Sequence, residues 1–130
     1  MSLDYTMIGT RDLAASRAFY DAVFPCFGGT LDMDFPGYGF CYRFRNDTRA
    51  WVAPPNDKQA PHPGNGNMPG FRCASTGEVD AAYVAALANG GTDEGPAGPR
   101  PAYGPSFYGA YVRDPAGNKM SFVFDVPSGH

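Results

Sequence analysis

The chain reads as an α+β protein made of two tandem βαβββ modules. Three observations carry that reading. Two helix signatures end alike, at Gly28-Gly-Thr30 and at Gly90-Gly-Thr92. Tyr38-Gly-Phe-Cys-Tyr-Arg43 resembles Tyr108-Gly-Ala-Tyr-Val-Arg113, and Ala50-Trp-Val52 is set against Ser121-Phe-Val123. Tyr5 and Met68 each stand seven residues before a helix N-cap, so the matching features recur in one order. One such unit leaves an apolar sheet face uncovered, so two are expected to pack side by side. The first module spans residues 1–55, a linker 56–67, and the second module 68–127.

In chain order, Tyr5–Ile8 is a short run of strand-forming residues. Asp12 caps a helix over residues 12–24, because its carboxylate accepts from free N–H groups of the first turn. Phe19, Tyr20, Val23 and Phe24 form its apolar stripe, and Pro25 with Gly28-Gly29 stops it. Thr30–Asp34, Gly39–Phe44 and Arg49–Ala53 complete the first module as strands. Residues 54–69 hold five prolines and read as a linker. Gly70–Cys73 opens the second module. Ser75 and Glu78 form a capping box for the second helix. Val79, Ala82, Tyr83, Ala86 and Leu87 give it one buried face, and Asn89-Gly90-Gly91 ends it. Residues 96–105 contain Pro96, Pro99, Pro101 and Pro105, cannot form a central strand, and read as a long loop. Phe107–Val112 and Lys119–Phe124 are strands joined by the turn Asp114-Pro-Ala-Gly-Asn118.

Composition narrows the function. At 130 residues, 43% apolar and 18% charged, this is one ordinary globular domain. A net charge of −3 without a basic run excludes a nucleic-acid footprint. No apolar stretch is long enough to span a bilayer, and Met-Ser-Leu-Asp-Tyr lacks a signal-peptide pattern. A cytoplasmic protein with no membrane partner is expected. Cys26, Cys41 and Cys73 are isolated and suggest neither disulfides nor a zinc ribbon; Cys41 and Cys73 read as core thiols and Cys26 as the exposed one. His62, His130, Glu78 and Glu94 are a meagre stock for a metal site.

Asp12-Leu-x-x-Ser16-x-x-Phe19-Tyr20, Arg113-Asp-Pro-x-Gly-Asn118 and Gly64–Phe71 running into the Ser75 helix, taken with the repeat, resemble the vicinal oxygen chelate superfamily. That superfamily includes glyoxalase I, extradiol dioxygenases and bleomycin-resistance proteins. The resemblance covers nearly the whole chain. It implies a curled mixed sheet around a cleft, and often a homodimer. In metal-using relatives, four positions on the first and last strand of each module supply His, Glu/Gln, His and Glu. Carried over, they fall on Tyr5, Ala50, Met68 and Ser121. A neutral phenol, a methyl, a thioether and an unactivated hydroxyl are poor ligands for Zn²⁺, Mn²⁺ or Fe²⁺. The resemblance therefore supports the fold and undercuts the usual chemistry: no metal and no cofactor are expected.

Strand parity puts Tyr5, Met7, Met68, Gly70, Ser121 and Val123 on the cleft face. Such an apolar lining with two hydroxyls suits a small organic ligand; the alternative is a cleft packed shut in a structural dimer module. Trp51 and Phe122 fall on the opposite face, under the helices. Arg100, Tyr103, Phe107 and Tyr108 lie at the expected cleft mouth. Arg100 could fix an anion there, or be a solvated loop residue. Arg43 and Arg113 are expected to pair with Asp47 or Asp114 near turns. Tyr5 and Tyr108 are the sole acid/base candidates; each would need a strongly lowered pKa or a partner base, and no histidine is placed to serve. The leading expectation is a metal-free protein binding a small organic molecule. The rivals are a glyoxalase-like lyase or dioxygenase, and a metal-free isomerase or hydrolase using Tyr5 or Tyr108.

Overall fold

The computed structural model describes residues 3–126. His130 and the last residue of the expected 68–127 module lie outside them. Eight strands and two α-helices follow in the order β1 (Tyr5–Gly9), α1 (Leu13–Val23), β2 (Thr30–Phe35), β3 (Gly39–Arg43), β4 (Arg49–Ala53), β5 (Gly70–Arg72), α2 (Thr76–Ala88), β6 (Thr92–Pro99), β7 (Tyr108–Arg113) and β8 (Lys119–Phe124). They form two mixed four-stranded sheets of identical topology, β1-β4-β3-β2 and β5-β8-β7-β6. In each, the first strand runs parallel to the last and the other pairings are antiparallel.

Both caps form as the residue types dictate. The Asp12 side chain accepts from the Ala15 N–H at 2.9 Å and Ser75 Oγ from the Glu78 N–H at 3.2 Å. Glu78 Oε1 in turn accepts from the Ala74 N–H at 2.7 Å. After α1 the chain tightens into a 3₁₀ turn over Phe24–Phe27, with Pro25 where no amide donor is required. Gly28 then takes φ +88°, the left-handed region that ends helices.

β6 is the element the sequence did not suggest. Its prolines are tolerated because it is an edge strand, paired only with β7 and bulged on either side of Gly95.

The core lies between the helices and the inner faces of both sheets, and α1 packs on α2. Phe24 meets Phe71 at 5.0 Å between ring centroids and Phe27 meets Phe122 at 5.6 Å, so aromatic rings join the modules. Each module also sends its last hairpin turn to the other. Arg45 holds Glu78 through two hydrogen bonds of 3.1 and 2.9 Å. Reciprocally, Asn118 Nδ2 donates to the Gly9 carbonyl at 2.8 Å, and Asp114 accepts from the Tyr20 hydroxyl at 2.6 Å. Asp114 is thus a buried link between modules, not the expected partner of Arg113, which faces Glu94 at 3.6 Å. Arg43 contacts Asp32 at 3.3 Å and Asp47 at 3.5 Å.

Candidate functional site

Register decides which side chains share a face. Tyr5 stands opposite Arg49, Thr6 opposite Ala50 and Met7 opposite Trp51. Gly70 stands opposite Ser121, Phe71 opposite Phe122 and Arg72 opposite Val123. Ile8, Ala50, Phe71 and Phe122 are buried under the helices, so Tyr5, Met7, Gly70, Ser121 and Val123 share the opposite, open faces.

Ala50 and Trp51 reverse their expected places. Ala50 is fully buried in the helix-side core. Trp51 is half-buried on the open face, stacked on Phe35 with ring planes 6° apart. The physical reason is the two-residue period of a strand. Trp51 and Ser121 are the true repeat partners, 70 positions apart like Arg43 and Arg113, and a slip of one residue flips every side chain. The four corresponding open-face positions are therefore Tyr5, Trp51, Met68 and Ser121. An indole donates one N–H and ligates no metal, so these residues do not fit the metal centre that the resemblance implies. Among the described residues, no group of three or more His, Cys, Asp or Glu side chains is placed to hold an ion.

The expected loop residues separate. The Arg100 guanidinium donates to the carbonyls of Pro96, Gly98 and Pro99 at 2.6, 3.0 and 3.3 Å, and lies 5.5 Å from the centroid of Tyr111. It clasps its own loop. Tyr103 is exposed and packs edge-on against Phe107 at 5.5 Å. Tyr108 faces away from this group, because the strand alternates. Its hydroxyl donates to Asp80 of α2 at 2.6 Å, and that bond raises its pKa above the ordinary phenol value. It is no base in waiting.

The main cavity lies where the free edges of β1 and β5 approach, and measures about 730 Å³. Of the expected ligand contacts, Met7 and Met68 line it; Tyr5, Ser121, Val123, Arg100, Tyr103, Phe107 and Tyr108 do not. Its inner wall is buried and apolar: Ile8, Phe27, Phe71, Cys73 and Met120. Burial pushes the Cys73 thiol up to about 12. Four cationic side chains, Arg45, Arg49, Arg72 and Lys119, complete the lining with no Asp or Glu. Sequence reasoning missed these four. They come from one turn and three strands, and no single-strand parity connects them.

The model of the Glyoxalase/Bleomycin resistance protein/Dioxygenase superfamily matches residues 2–122. The chain belongs to this superfamily. Among solved structures, a glyoxalase/bleomycin resistance protein from Albidiferax ferrireducens T118 is 32% identical, with 97% of this chain and 100% of that chain covered and a TM-score of 0.86. A glyoxalase-related enzyme from Fulvimarina pelagi is 23% identical, covering 96% and 88%, at a TM-score of 0.76. A lactoylglutathione lyase from Agrobacterium tumefaciens is 23% identical, covering 95% and 92%, at 0.66. The latter two show a shared fold. A comparison with curated proteins found no match. In this superfamily member the α+β fold of the relatives is retained, and Tyr5, Trp51, Met68 and Ser121 stand at the positions carried over from the resemblance. Among the described residues no helix is long and apolar enough to cross a membrane.

Proposed function

We propose that this protein binds a small organic molecule in the cavity between its two sheets, without a metal ion, and works as a homodimer. The observation that carries the reading is the cavity itself. Its volume falls within the range of about 300–1,000 Å³ typical of small-molecule sites, and its inner wall is apolar and buried. The side chains at Tyr5, Trp51, Met68 and Ser121 support a metal-free site, because none is a competent ligand for a hard or borderline divalent ion. The dimer is supported by Tyr5, Met7 and Phe35, apolar side chains on the open face of the first sheet that are about half exposed, at 52%, 56% and 51%. A reducing compartment such as the cytoplasm suits three unpaired cysteines.

Native mass spectrometry of the untagged protein as purified tests all of this together. A metal-free dimer carrying an organic adduct is the expected species. A dimer with one tightly held divalent ion per chain would overturn the reading and restore a lyase or dioxygenase.

A further inference from the structure

The charge of the cavity wall is not the charge of the protein. The chain carries 13 acidic and 10 basic side chains, for a net −3. Yet four of those basic residues line the cavity and none of the acidic ones does. Two of the four are already engaged. Arg45 is held by Glu78, and Arg49 donates to Asp32 at 2.9 Å. The other two differ. Arg72 Nη2 donates to the Asp125 backbone carbonyl at 2.8 Å, which uses one of five guanidinium donors. Neither Arg72 nor Lys119 forms an ion pair among the described residues.

Their placement is set by the β5–β8 pairing. Arg72 lies opposite Val123, and Lys119 precedes Ser121 by two residues. Both therefore share one face, about 13 Å apart along the strands at a rise of about 3.3 Å per residue. Phe71 and Met120 alternate with them along the same strands and are buried on the helix side, and Arg72, Lys119, Phe27, Phe71 and Met120 all line the cavity at the free edge of β5. A concave site with low-dielectric walls and one sign of charge concentrates field and favours counter-ions.

We infer that the ligand of this cavity is an organic anion with an apolar body, its carboxylate or phosphate met by Arg72 or Lys119 and its body by the aromatic wall. This inference rests on reading the cavity as a ligand site. A guanidinium binds either oxyanion through paired, charge-assisted hydrogen bonds, so the two anions share one recognition chemistry. A neutral analogue would make the apolar contacts alone. A cation would meet the like charges of Arg72 and Lys119.

The test is isothermal titration of the full-length protein with four probes of one shape: 2-naphthoate, 2-naphthyl phosphate, 2-naphthamide and 2-naphthylmethylammonium. Both anions are expected to bind at least about tenfold tighter than the amide, as charge-assisted bonds allow, and the ammonium weakest. Tighter binding of one anion identifies which oxyanion the site takes. Raising the salt should narrow the gap between anion and amide. In the Arg72→Gln, Lys119→Gln double variant, the preference should vanish while amide affinity is kept, with thermal unfolding confirming that the variant is folded. Equal affinity for all probes would overturn the charge inference and leave the ligand site standing. An anion preference that survives in the double variant would overturn the assignment to these residues. Failure of every probe to bind at millimolar concentration would overturn both this inference and the ligand-site reading beneath it.

Discussion

The Tyr20 hydroxyl and the Asp114 carboxylate are joined by a 2.6 Å hydrogen bond although 94 positions separate them in the chain. Tyr20 belongs to the helix of one module and Asp114 to the last turn of the other. Asp114 Oδ1 also accepts from the Ala116 and Asn118 amides at 2.9 and 2.8 Å, and its Oδ2 accepts from Asn118 Nδ2 at 3.0 Å. The carboxylate thus orders its own turn and fastens it to α1. Tyr20→Phe removes one charge-assisted bond and should cost about 1.5–3 kcal/mol in urea unfolding. Asp114→Ala strips the turn of its acceptor and should cost more, about 3–5 kcal/mol. In the double variant the two losses should fall short of their sum. Strict additivity would show that the pair does not act as a unit.

Stability should fall on the alkaline side, and Cys73 and Tyr20 are two of the groups responsible. Burial lifts the Cys73 thiol from 9.0 to about 12. Burial, then the Asp114 charge, lifts Tyr20 well above 10.0. In both cases the unfolded chain releases its proton first, so it binds fewer protons and stability falls as pH rises. The Cys73 contribution is complete below pH 9 and disappears by about pH 12. The Tyr20 contribution begins to erode above pH 10. Each group adds at most about 1.4 kcal/mol per pH unit. Melting curves from pH 8 to 11 should show this descent, and Cys73→Ala should make its first part shallower.

The face reversal at Ala50 and Trp51 gives a direct contrast. Ala50→Glu places a charge in the core beneath α1 and should abolish cooperative folding. Trp51→Glu changes a half-buried open-face residue and should leave a folded protein, at a cost of about 1–3 kcal/mol from the lost ring contact and apolar burial. Circular dichroism melts of the two variants decide it. A well-folded Ala50→Glu protein would place that strand in the other register.

Gly91 marks a point where three elements crowd. A Cβ there would meet the Ala86 carbonyl at 2.7 Å, Phe19 at 2.8 Å and the Arg113 carbonyl at 3.0 Å. Two of those atoms are backbone and cannot swing aside. Gly91→Ala should therefore destabilise by about 1–3 kcal/mol, as overpacking does. A neutral result in denaturant titration would contradict the close approach.

Arg100→Ala should act locally. Three carbonyl contacts and the Tyr111 ring are lost, so residues 96–107 should become more susceptible to limited proteolysis and exchange amide protons faster. The global melting temperature should move little. A large fall in melting temperature would mean that the clasp supports the core as well.

How much of this was legible in the sequence depended on what the pattern encodes. Both helices were marked by local chemistry: Asp12 and Ser75 cap, and glycines end. β6 was hidden because Pro96 and Pro99 argue against a strand, and only an edge position makes them acceptable. Within β4, apolar residues run without alternation through Ala50, Trp51 and Val52. Parity there had no anchor, and the repeat alone had to set it, one residue astray. The cavity was harder still. Arg72 and Lys119 meet only through the non-local β5–β8 pairing and Arg45 joins them only after two modules dock, and docking depends on pairs such as Tyr20 and Asp114 that no local signal connects.

The prolines and bulges of β6 have one further effect. Pro96 and Pro99 lack the amide hydrogen with which another extended chain would pair, and the breaks at Gly95 disturb the regular spacing that such pairing needs. Strand-by-strand polymerisation is thereby blunted at the outer border of the second sheet. An amyloid-type stack starting from β6 is disfavoured even at high protein concentration, so the same residues that disguised this strand in the sequence protect the folded molecule from aggregation.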